Sequence, residues 1–175
     1  LSFYQVNPQQ TEVLYTKAIE AAGLTGKETV IDAYSGIGTI SLALAKHAKQ
    51  VYGVEIVPEA VADARQNARL NGIENVTFEV GKAEDVMQTW RDQQLPVDVL
   101  MVDPPRKGLA KEFIDAVGVL LPPKMVYVSC NPATLARDLK ALAAFGYQAT
   151  QTQPVDMFPQ TTSIESVTAL TLKTD

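Results

Sequence analysis

Cysteine is almost absent from this chain, which has only Cys130 among its 175 residues. An internal disulfide and a zinc or iron–sulfur site built only of cysteines are therefore excluded within the chain. Long apolar runs are also missing: no segment approaches the roughly 18 residues of a membrane span, and no signal-peptide pattern is present. These absences predict a cytoplasmic protein with no membrane partner and no metal in this domain.

Basic charge is scarce as well. The chain has 15 Lys and Arg against 20 Asp and Glu, a formal net charge of −5, and no run rich in Lys or Arg. Proteins that bind nucleic acid by neutralising phosphates are normally basic. If this domain acts on nucleic acid, we expect a local patch or another domain to supply most of the non-specific affinity. The start at Leu1 without a methionine favours a fragment of a longer protein.

The chain is rich in alternating strand and helix patterns, without repeats or linkers. Alternation of this kind indicates a parallel sheet covered on both faces, in one domain over 1–175 that we expect to be monomeric. The last two strands lack an intervening helix, which predicts an antiparallel hairpin. Predicted strands are 29–33, 51–55, 76–80, 97–102, 125–129, 148–154 and 166–172. Predicted helices are 12–22, 40–48, 58–70, 84–93, 111–121 and a last one from Pro132 to Phe145.

The single cysteine follows a buried strand pattern and precedes Asn131-Pro132, which is typical of a helix start with Asn as cap. Cys130 is thus predicted at the carboxyl edge of the sheet, where α/β folds bind ligands. Free amides and the helix dipole at such a junction are expected to lower the thiol pKa and favour the nucleophilic thiolate. The alternative is a buried cysteine that packs as a small hydrophobic residue.

A strand, a glycine turn and a helix start occupy residues 30–41, with Gly36 and Gly38 in the turn. Glu55 ends the following strand, where an acid can accept both ribose hydroxyls of an adenosine. A dinucleotide fingerprint would have a third glycine where this chain has Ser41. The departure favours S-adenosylmethionine, which has no pyrophosphate, over a dehydrogenase cofactor. A plain structural turn is the alternative.

Asp103-Pro104-Pro105-Arg106 follows another buried strand and places an acid at its end. Amino-directed methyltransferases have a similar Asp/Asn-Pro-Pro followed by an aromatic residue that stacks on the target base. Arg106 stands in the place of that aromatic residue, so a different chemistry is implied. Arg106 and Lys107 either hold an RNA phosphate or form a solvated pair in a loop.

Five blocks together make the chain similar to the catalytic domain of the bacterial RNA uracil-5 methyltransferases, which form 5-methyluridine in ribosomal or transfer RNA. The resemblance implies a class I, Rossmann-like α/β methyltransferase fold that uses S-adenosyl-L-methionine. Its sheet would have seven mostly parallel strands, with helices on both faces and a C-terminal antiparallel hairpin. The blocks are closer to the ribosomal members, which favours 23S rRNA as the RNA partner. They are Ser2–Asn7, Asp32–Gly38, Asp103–Arg106, Ser129–Thr134 and Asp156–Glu165.

The resemblance also assigns roles to residues. Cys130 would be the nucleophile and Glu165 the general base. The family's last block often has a histidine two residues before the glutamate, where this chain has Ser163. Family members also have an N-terminal OB-like RNA-binding domain, and some bind an iron–sulfur cluster upstream. The predicted cofactor-binding residues are Gln5, Tyr34, Gly36, Gly38, Glu55 and Asp103, and the predicted substrate-binding residues are Phe3, Arg106 and Asn131.

The chemistry explains why a thiol and a carboxylate are needed. C5 of uracil is a poor nucleophile until a thiolate adds to C6 and generates an enolate that can attack a methyl donor. The C5 hydrogen must then be removed by a base before the thiolate departs. The target base has to be flipped out of its stack, and Phe3, Tyr4 or Phe158 could stack on it. Two alternatives stay open: a class I methyltransferase of another specificity, and a non-catalytic module that binds cofactor or RNA.

Overall fold

The computed structural model describes residues 8–155 and 165–173. Helices and strands alternate along these residues as the sequence patterns predict. The helices are α1 Pro8–Ala22, α2 Thr39–Ala45, α3 Pro58–Leu70, α4 Ala83–Asp92, α5 Lys111–Leu120 and α6 Pro132–Ala143. The strands are β1 Thr29–Ala33, β2 Gln50–Glu55, β3 Val76–Val80, β4 Val99–Val102, β5 Lys124–Ser129, β6 Tyr147–Val155 and β7 Glu165–Leu172.

All seven strands form one sheet in the order β3-β2-β1-β4-β5-β7-β6. The first five are parallel, and β7 runs antiparallel to both β5 and β6. Every residue of β1 and of β4 is buried, as expected for central parallel strands covered on both faces. The predicted fold class, including the antiparallel C-terminal pair, is confirmed.

Two main groups of buried side chains lie on the two faces of the sheet. Helices α4, α5 and α6 cover one face and contribute Trp90, Phe113 and Leu142 to its core. Helices α1 and α2 cover the other face, with Leu14 and Leu44 in its core. Because both faces of the sheet are covered, a ligand can reach the sheet only where its strands end.

The predicted boundaries differ from the structure by a few residues. The fourth strand begins at Val99 rather than Val97, because the Asp98 carboxylate accepts a hydrogen bond from the Thr29 amide (2.9 Å) next to the ladder. The second helix ends at Ala45 rather than Ala48, and the last at Ala143 rather than Phe145. Tight turns replace the final turn of each helix.

Within the described residues, no helix has the length and apolar character needed to cross a bilayer. In the same two ranges, no three His, Cys, Asp or Glu side chains are grouped so that they could hold a metal ion.

Candidate active site

Site residues from distant parts of the sequence meet along the carboxyl edge of the parallel strands. Glu55 ends β2, Tyr34 follows β1, Asp103 follows β4 and Cys130 follows β5. Glu165 begins β7, which is antiparallel and therefore starts at the same edge. The strand order places these five residues in a row, one for each strand, with neighbouring strands about 4.8 Å apart.

Cys130 and Glu165 occupy adjacent places in this row. Ser129 of β5 pairs with Ser166 of β7. Cys130, one residue after Ser129, therefore faces Glu165, one residue before Ser166. Both residues are half-buried, and the Glu165 charge acts on the Cys130 thiol. The predicted nucleophile and the predicted base are thus brought together by the pairing of β5 with β7.

The structure contradicts the predicted low pKa of the thiol. Burial raises the pKa of Cys130, Glu165 and Asp103 raise it further, and Arg106 opposes them. The helix start offers little compensation, because the Asn131 Oδ1 accepts hydrogen bonds from the amides of Ala133 (3.0 Å) and Thr134 (3.4 Å). Pro132, the first residue of α6, has no amide hydrogen to offer.

Carboxyl groups crowd the same edge, and burial raises their pKa values. The pKa of Asp103 rises to about 7 through burial, followed by the charges of Glu165 and Asp32. The pKa of Glu165 also rises through burial, and Arg106 lowers it. A carboxylate held in this way is a stronger base than an exposed one.

Asp32 lies beneath the row, within β1, and is 1% exposed. Burial raises its pKa to about 7, the Ser41 hydroxyl lowers it and the Glu55 charge raises it. The Ser41 hydroxyl donates a hydrogen bond of 2.5 Å to Asp32 Oδ2. Sequence reasoning used Ser41 only as a departure from the dinucleotide fingerprint and missed this contact.

Glu55 connects the glycine turn to the start of α3 through its two carboxylate oxygens. Oε1 accepts a hydrogen bond from the Gly36 amide (3.1 Å), and Oε2 accepts one from the Val57 amide (3.0 Å). Gly36 has φ +57 and open space where a Cβ would project. A ligand can therefore approach the backbone closely at this position.

Gly38 has a different role in the same turn. Its φ is +89, and an added Cβ would lie 2.8 Å from the Phe78 ring and 2.9 Å from the Ala64 Cβ. This glycine lets the start of α2 pack against α3 and β3. The structure thus shows a packing reason for Gly38, and its predicted contact with cofactor stays a prediction.

Tyr34 adopts φ 62, which is uncommon for a residue with a side chain and typical of turns at functional sites. Its half-buried ring lies 5.4 Å from the Phe113 ring, centroid to centroid, at an angle of 41°. Burial, followed by the charges of Glu84 and Asp138, raises its pKa. The ring is therefore braced by the core beside the glycine turn, and its contact with cofactor stays a prediction.

Arg106 and Asn131, both predicted to bind substrate, are in contact with each other. Asn131 Nδ2 reaches the Arg106 carbonyl oxygen at 3.5 Å, and Thr134 Oγ1 donates to the same oxygen at 3.2 Å. The Asn131 side chain is also the cap of α6, which confirms the predicted helix start. The exposed Arg106 lowers the pKa of both Cys130 and Glu165, so its guanidinium lies near them.

Sequence reasoning missed Tyr15, which faces this edge from α1. Burial raises the pKa of Tyr15 to about 12, and the charges of Asp103, Asp32 and Glu165 add to the shift. No local motif marks this residue, because its approach to the site depends on how α1 packs on the sheet. The predicted residues Gln5, Phe3, Tyr4, Phe158 and Ser163 lie outside the described residues.

The sheet order, the glycine turn after β1 and the acids at the carboxyl ends of β2 and β4 define a class I methyltransferase fold. A sequence model described as tRNA (Uracil-5-)-methyltransferase matches residues 1–173. The chain belongs to this family.

Curated relatives and solved structures agree with this assignment. Uncharacterized RNA methyltransferases of Listeria innocua and Halalkalibacterium halodurans are each 63% identical over 172 residues, 98% of this chain. The chain spans 38% of the length of each of these relatives. The Pyrococcus abyssi tRNA (uracil-54, C5)-methyltransferase, solved with S-adenosyl-L-homocysteine, is 34% identical over 97% of this chain and 40% of its own, with a TM-score of 0.80. A ribosomal protein L11 methylase of Lactobacillus delbrueckii (21% identity, TM-score 0.70, covering 95% of this chain and 81% of its own) shares the fold.

Proposed function

We propose that residues 1–175 form the single catalytic domain of an RNA methyltransferase that moves a methyl group from S-adenosyl-L-methionine to C5 of a uridine. The observation that carries the proposal is the adjacency of Cys130 and Glu165 at the same edge of the sheet as the glycine turn, which lies two strands away after β1. A thiol and a carboxylate are the two groups that this reaction needs at one target ring.

We call Ser35, Gly36 and Glu55 the cofactor end of the site. These residues fit an adenosine cofactor without phosphates. The face of Gly36 is open, and each Glu55 oxygen still has capacity to accept a ribose hydroxyl beside its backbone hydrogen bond. Among the described residues, Ser35 Oγ is the one buried side-chain nitrogen or oxygen atom without a hydrogen-bond partner. S-adenosylmethionine supplies an electrophilic methyl group, and the 34% identical Pyrococcus abyssi structure contains its demethylated product.

We call Arg106, Cys130 and Glu165 the reaction end of the site. These residues fit the remaining steps. The Cys130 thiolate adds to C6 of the uridine, and C5 of the resulting enolate takes the methyl group as its bond to the donor sulfur breaks, which leaves S-adenosyl-L-homocysteine. Glu165 then removes the C5 proton, the electron pair of that bond restores the double bond between C5 and C6, and the thiolate leaves. Arg106 supports both groups because its charge favours the thiolate and the carboxylate over their neutral forms.

The identity of the RNA belongs to the proposal. The block pattern favours 23S rRNA, whereas the family description and the Pyrococcus abyssi structure name tRNA. Mapping 5-methyluridine in ribosomal and transfer RNA from cells with and without the intact gene separates the two. If both RNAs keep the modification in cells without the gene, the proposal is contradicted.

The decisive experiment is covalent trapping on the full-length protein. RNA that contains 5-fluorouridine should form a stable methylated adduct in the presence of S-adenosylmethionine, because fluorine replaces the proton that Glu165 must remove. Cys130→Ala should abolish the adduct, and Glu112→Gln, an exposed change on α5, should leave it intact. An adduct that survives in Cys130→Ala would remove this residue from the mechanism.

The same assay distinguishes the alternatives. A class I methyltransferase of another specificity would transfer methyl groups to RNA or another acceptor without a protein-linked species. A non-catalytic module would bind the cofactor or RNA and transfer nothing. We expect the 175-residue chain alone to bind cofactor. We expect it to methylate RNA poorly, because its net charge of −5 disfavours binding to RNA phosphates.

A further inference from the structure

A buried carboxylate outside the proposed catalytic groups connects the two segments that form the reaction end. We propose that Asp138 of α6 is a positioning residue, which holds the loop that carries Arg106 against the turn that carries Cys130. The roles of Arg106 and Cys130 in methyl transfer rest on the proposed function, but the positioning itself can be tested without RNA.

Asp138 is fully buried, and both of its oxygens are hydrogen-bonded. Oδ2 accepts hydrogen bonds from the Leu109 amide (2.8 Å) and from the Tyr127 hydroxyl (2.6 Å). Oδ1 accepts two from the Arg137 guanidinium, through Nε (3.1 Å) and Nη2 (3.0 Å). A buried carboxylate is tolerated only with a complete set of partners such as this one.

The partners belong to elements that form the reaction end. Tyr127 lies in β5, the strand that ends just before Cys130, and Leu109 lies in the loop that leaves Asp103. Arg137 extends the connection, because its Nη2 also donates to the carbonyl oxygens of Lys107 (2.8 Å) and Leu109 (3.4 Å). The Asp138 carboxylate therefore joins α6, β5 and the loop after β4.

The loop lies directly on α6 next to this carboxylate. At Gly108, with φ +81, an added Cβ would lie 2.6 Å from Asp138 Oδ2 and 2.7 Å from Arg137 Nη2. Thr134 Oγ1 holds the Arg106 carbonyl oxygen from the first turn of the same helix (3.2 Å). Release of the loop from Asp138 would thus free the backbone on which Arg106 depends for its place near the thiol.

A second Arg–Asp pair shows what a merely local pair looks like. Arg91 and Asp92 of α4 are adjacent in sequence, as Arg137 and Asp138 are, and they make the same contacts through Nε (3.3 Å) and Nη2 (3.0 Å). Asp92 is exposed and has no hydrogen bond to another element among the described residues. Asp92→Asn is therefore a matched control for Asp138→Asn.

The test measures Cys130 alkylation by iodoacetamide as a function of pH in the full-length protein, with the Cys130 peptide quantified by mass spectrometry. Only the thiolate reacts, and Arg106 favours the thiolate. Arg106→Gln and Asp138→Asn should each move the profile to higher pH, with alkylation below the thiol pKa slowed about threefold for half a pKa unit. The double variant should be no slower than the slower single variant, and Asp92→Asn should match the wild type.

Several results would overturn the proposal. Asp138→Asn could lower the unfolding free energy and leave the profile unchanged, which is the outcome of a purely structural role. Additive effects in the double variant, or no shift in Arg106→Gln, would also contradict it. If Asp138→Asn does not fold, Tyr127→Phe and Gly108→Ala are judged by the same profile, since the first removes a hydrogen bond to Asp138 and the second adds a Cβ that pushes the loop away from Asp138 and Arg137. Absence of 5-methyluridine formation by the wild type would contradict only the proposed function.

Discussion

Cys130 and Glu165 lie side by side because Ser129 and Ser166, their neighbours in the chain, pair across the antiparallel strands β5 and β7. In such a ladder a slip by one residue turns every side chain to the opposite face. Val167 of β7 is buried in the core on one face of the sheet and Leu170 in the core on the other, so a slip would place each in the wrong core, and the native register places the carboxyl group next to the thiol. The core of the sheet therefore determines the geometry of the proposed catalytic pair.

Glu165→Gln is expected to stop the reaction after methyl transfer. The amide cannot accept the C5 proton, so methylated RNA should accumulate as a protein-linked species with natural uridine RNA and S-adenosylmethionine. Denaturing gel electrophoresis with a radioactive methyl group detects this species. Glu112→Gln should give free 5-methyluridine as the wild type does. Free product from Glu165→Gln at the normal rate would show that another group removes the proton.

Asp32→Asn is expected to change the pH dependence of stability. Burial raises the pKa of Asp32 from 3.8 to about 7, so between these values the folded state binds a proton that the unfolded state releases. The free energy of unfolding should therefore fall as pH rises through this window, by on the order of 3 kcal/mol from this group.

Urea unfolding of the cofactor-free chain at pH 4.5 and pH 8 measures this contribution. The variant should show a smaller fall than the wild type, since its amide does not titrate and can still accept the Ser41 hydrogen bond. Equal slopes for both proteins would mean that Asp32 does not hold its proton in the folded state.

The two glycines of the turn should respond differently to alanine. Gly36→Ala should cost about 1 kcal/mol for the left-handed backbone, yet weaken S-adenosylmethionine binding roughly tenfold, because its Cβ would enter open space at the cofactor end. Gly38→Ala should cost about 2 to 4 kcal/mol, since its Cβ also meets Phe78 and Ala64. Urea unfolding and calorimetric titration measure the two effects. A Gly36→Ala protein with normal cofactor affinity would place the cofactor elsewhere.

Asn131→Ala should destabilise the chain by about 1 kcal/mol, because it removes the side-chain cap of α6. Asn71→Ala is a suitable comparison, since the Asn71 side chain donates one exposed hydrogen bond to the Asn67 carbonyl oxygen at the end of α3. We expect its cost to be about half as large. Urea midpoints of the two variants decide the order, and a reversed order would contradict the assigned cap.

Local patterns in the sequence were sufficient for much of the fold. Buried strands such as Thr29–Ala33 and helix starts such as Asn131-Pro132 are encoded within a few residues, so their positions were predicted within a few residues. The carboxyl-edge location of Asp103 and Cys130 followed from strand direction alone. The resemblance to a family then paired Cys130 with Glu165.

Properties that depend on contacts between distant segments were not predictable in the same way. The thiol pKa was predicted to fall, whereas burial and the neighbouring carboxylates raise it. Tyr15 and Asp138 carry no motif, and they were missed because their surroundings come from α1 packing on the sheet and from the loop lying on α6.

The sequence by itself determined the order of strands and helices, the glycine turn, and the thiol that follows β5. Those features depend on hydrophobic periodicity and backbone preferences, which act over a few neighbouring residues. Only the tertiary structure decided the register that sets Cys130 beside Glu165, the raised pKa values along the edge, and the hydrogen bonds of Asp138. Desolvation, charge and hydrogen bonding between distant segments exist only once the chain has brought them together.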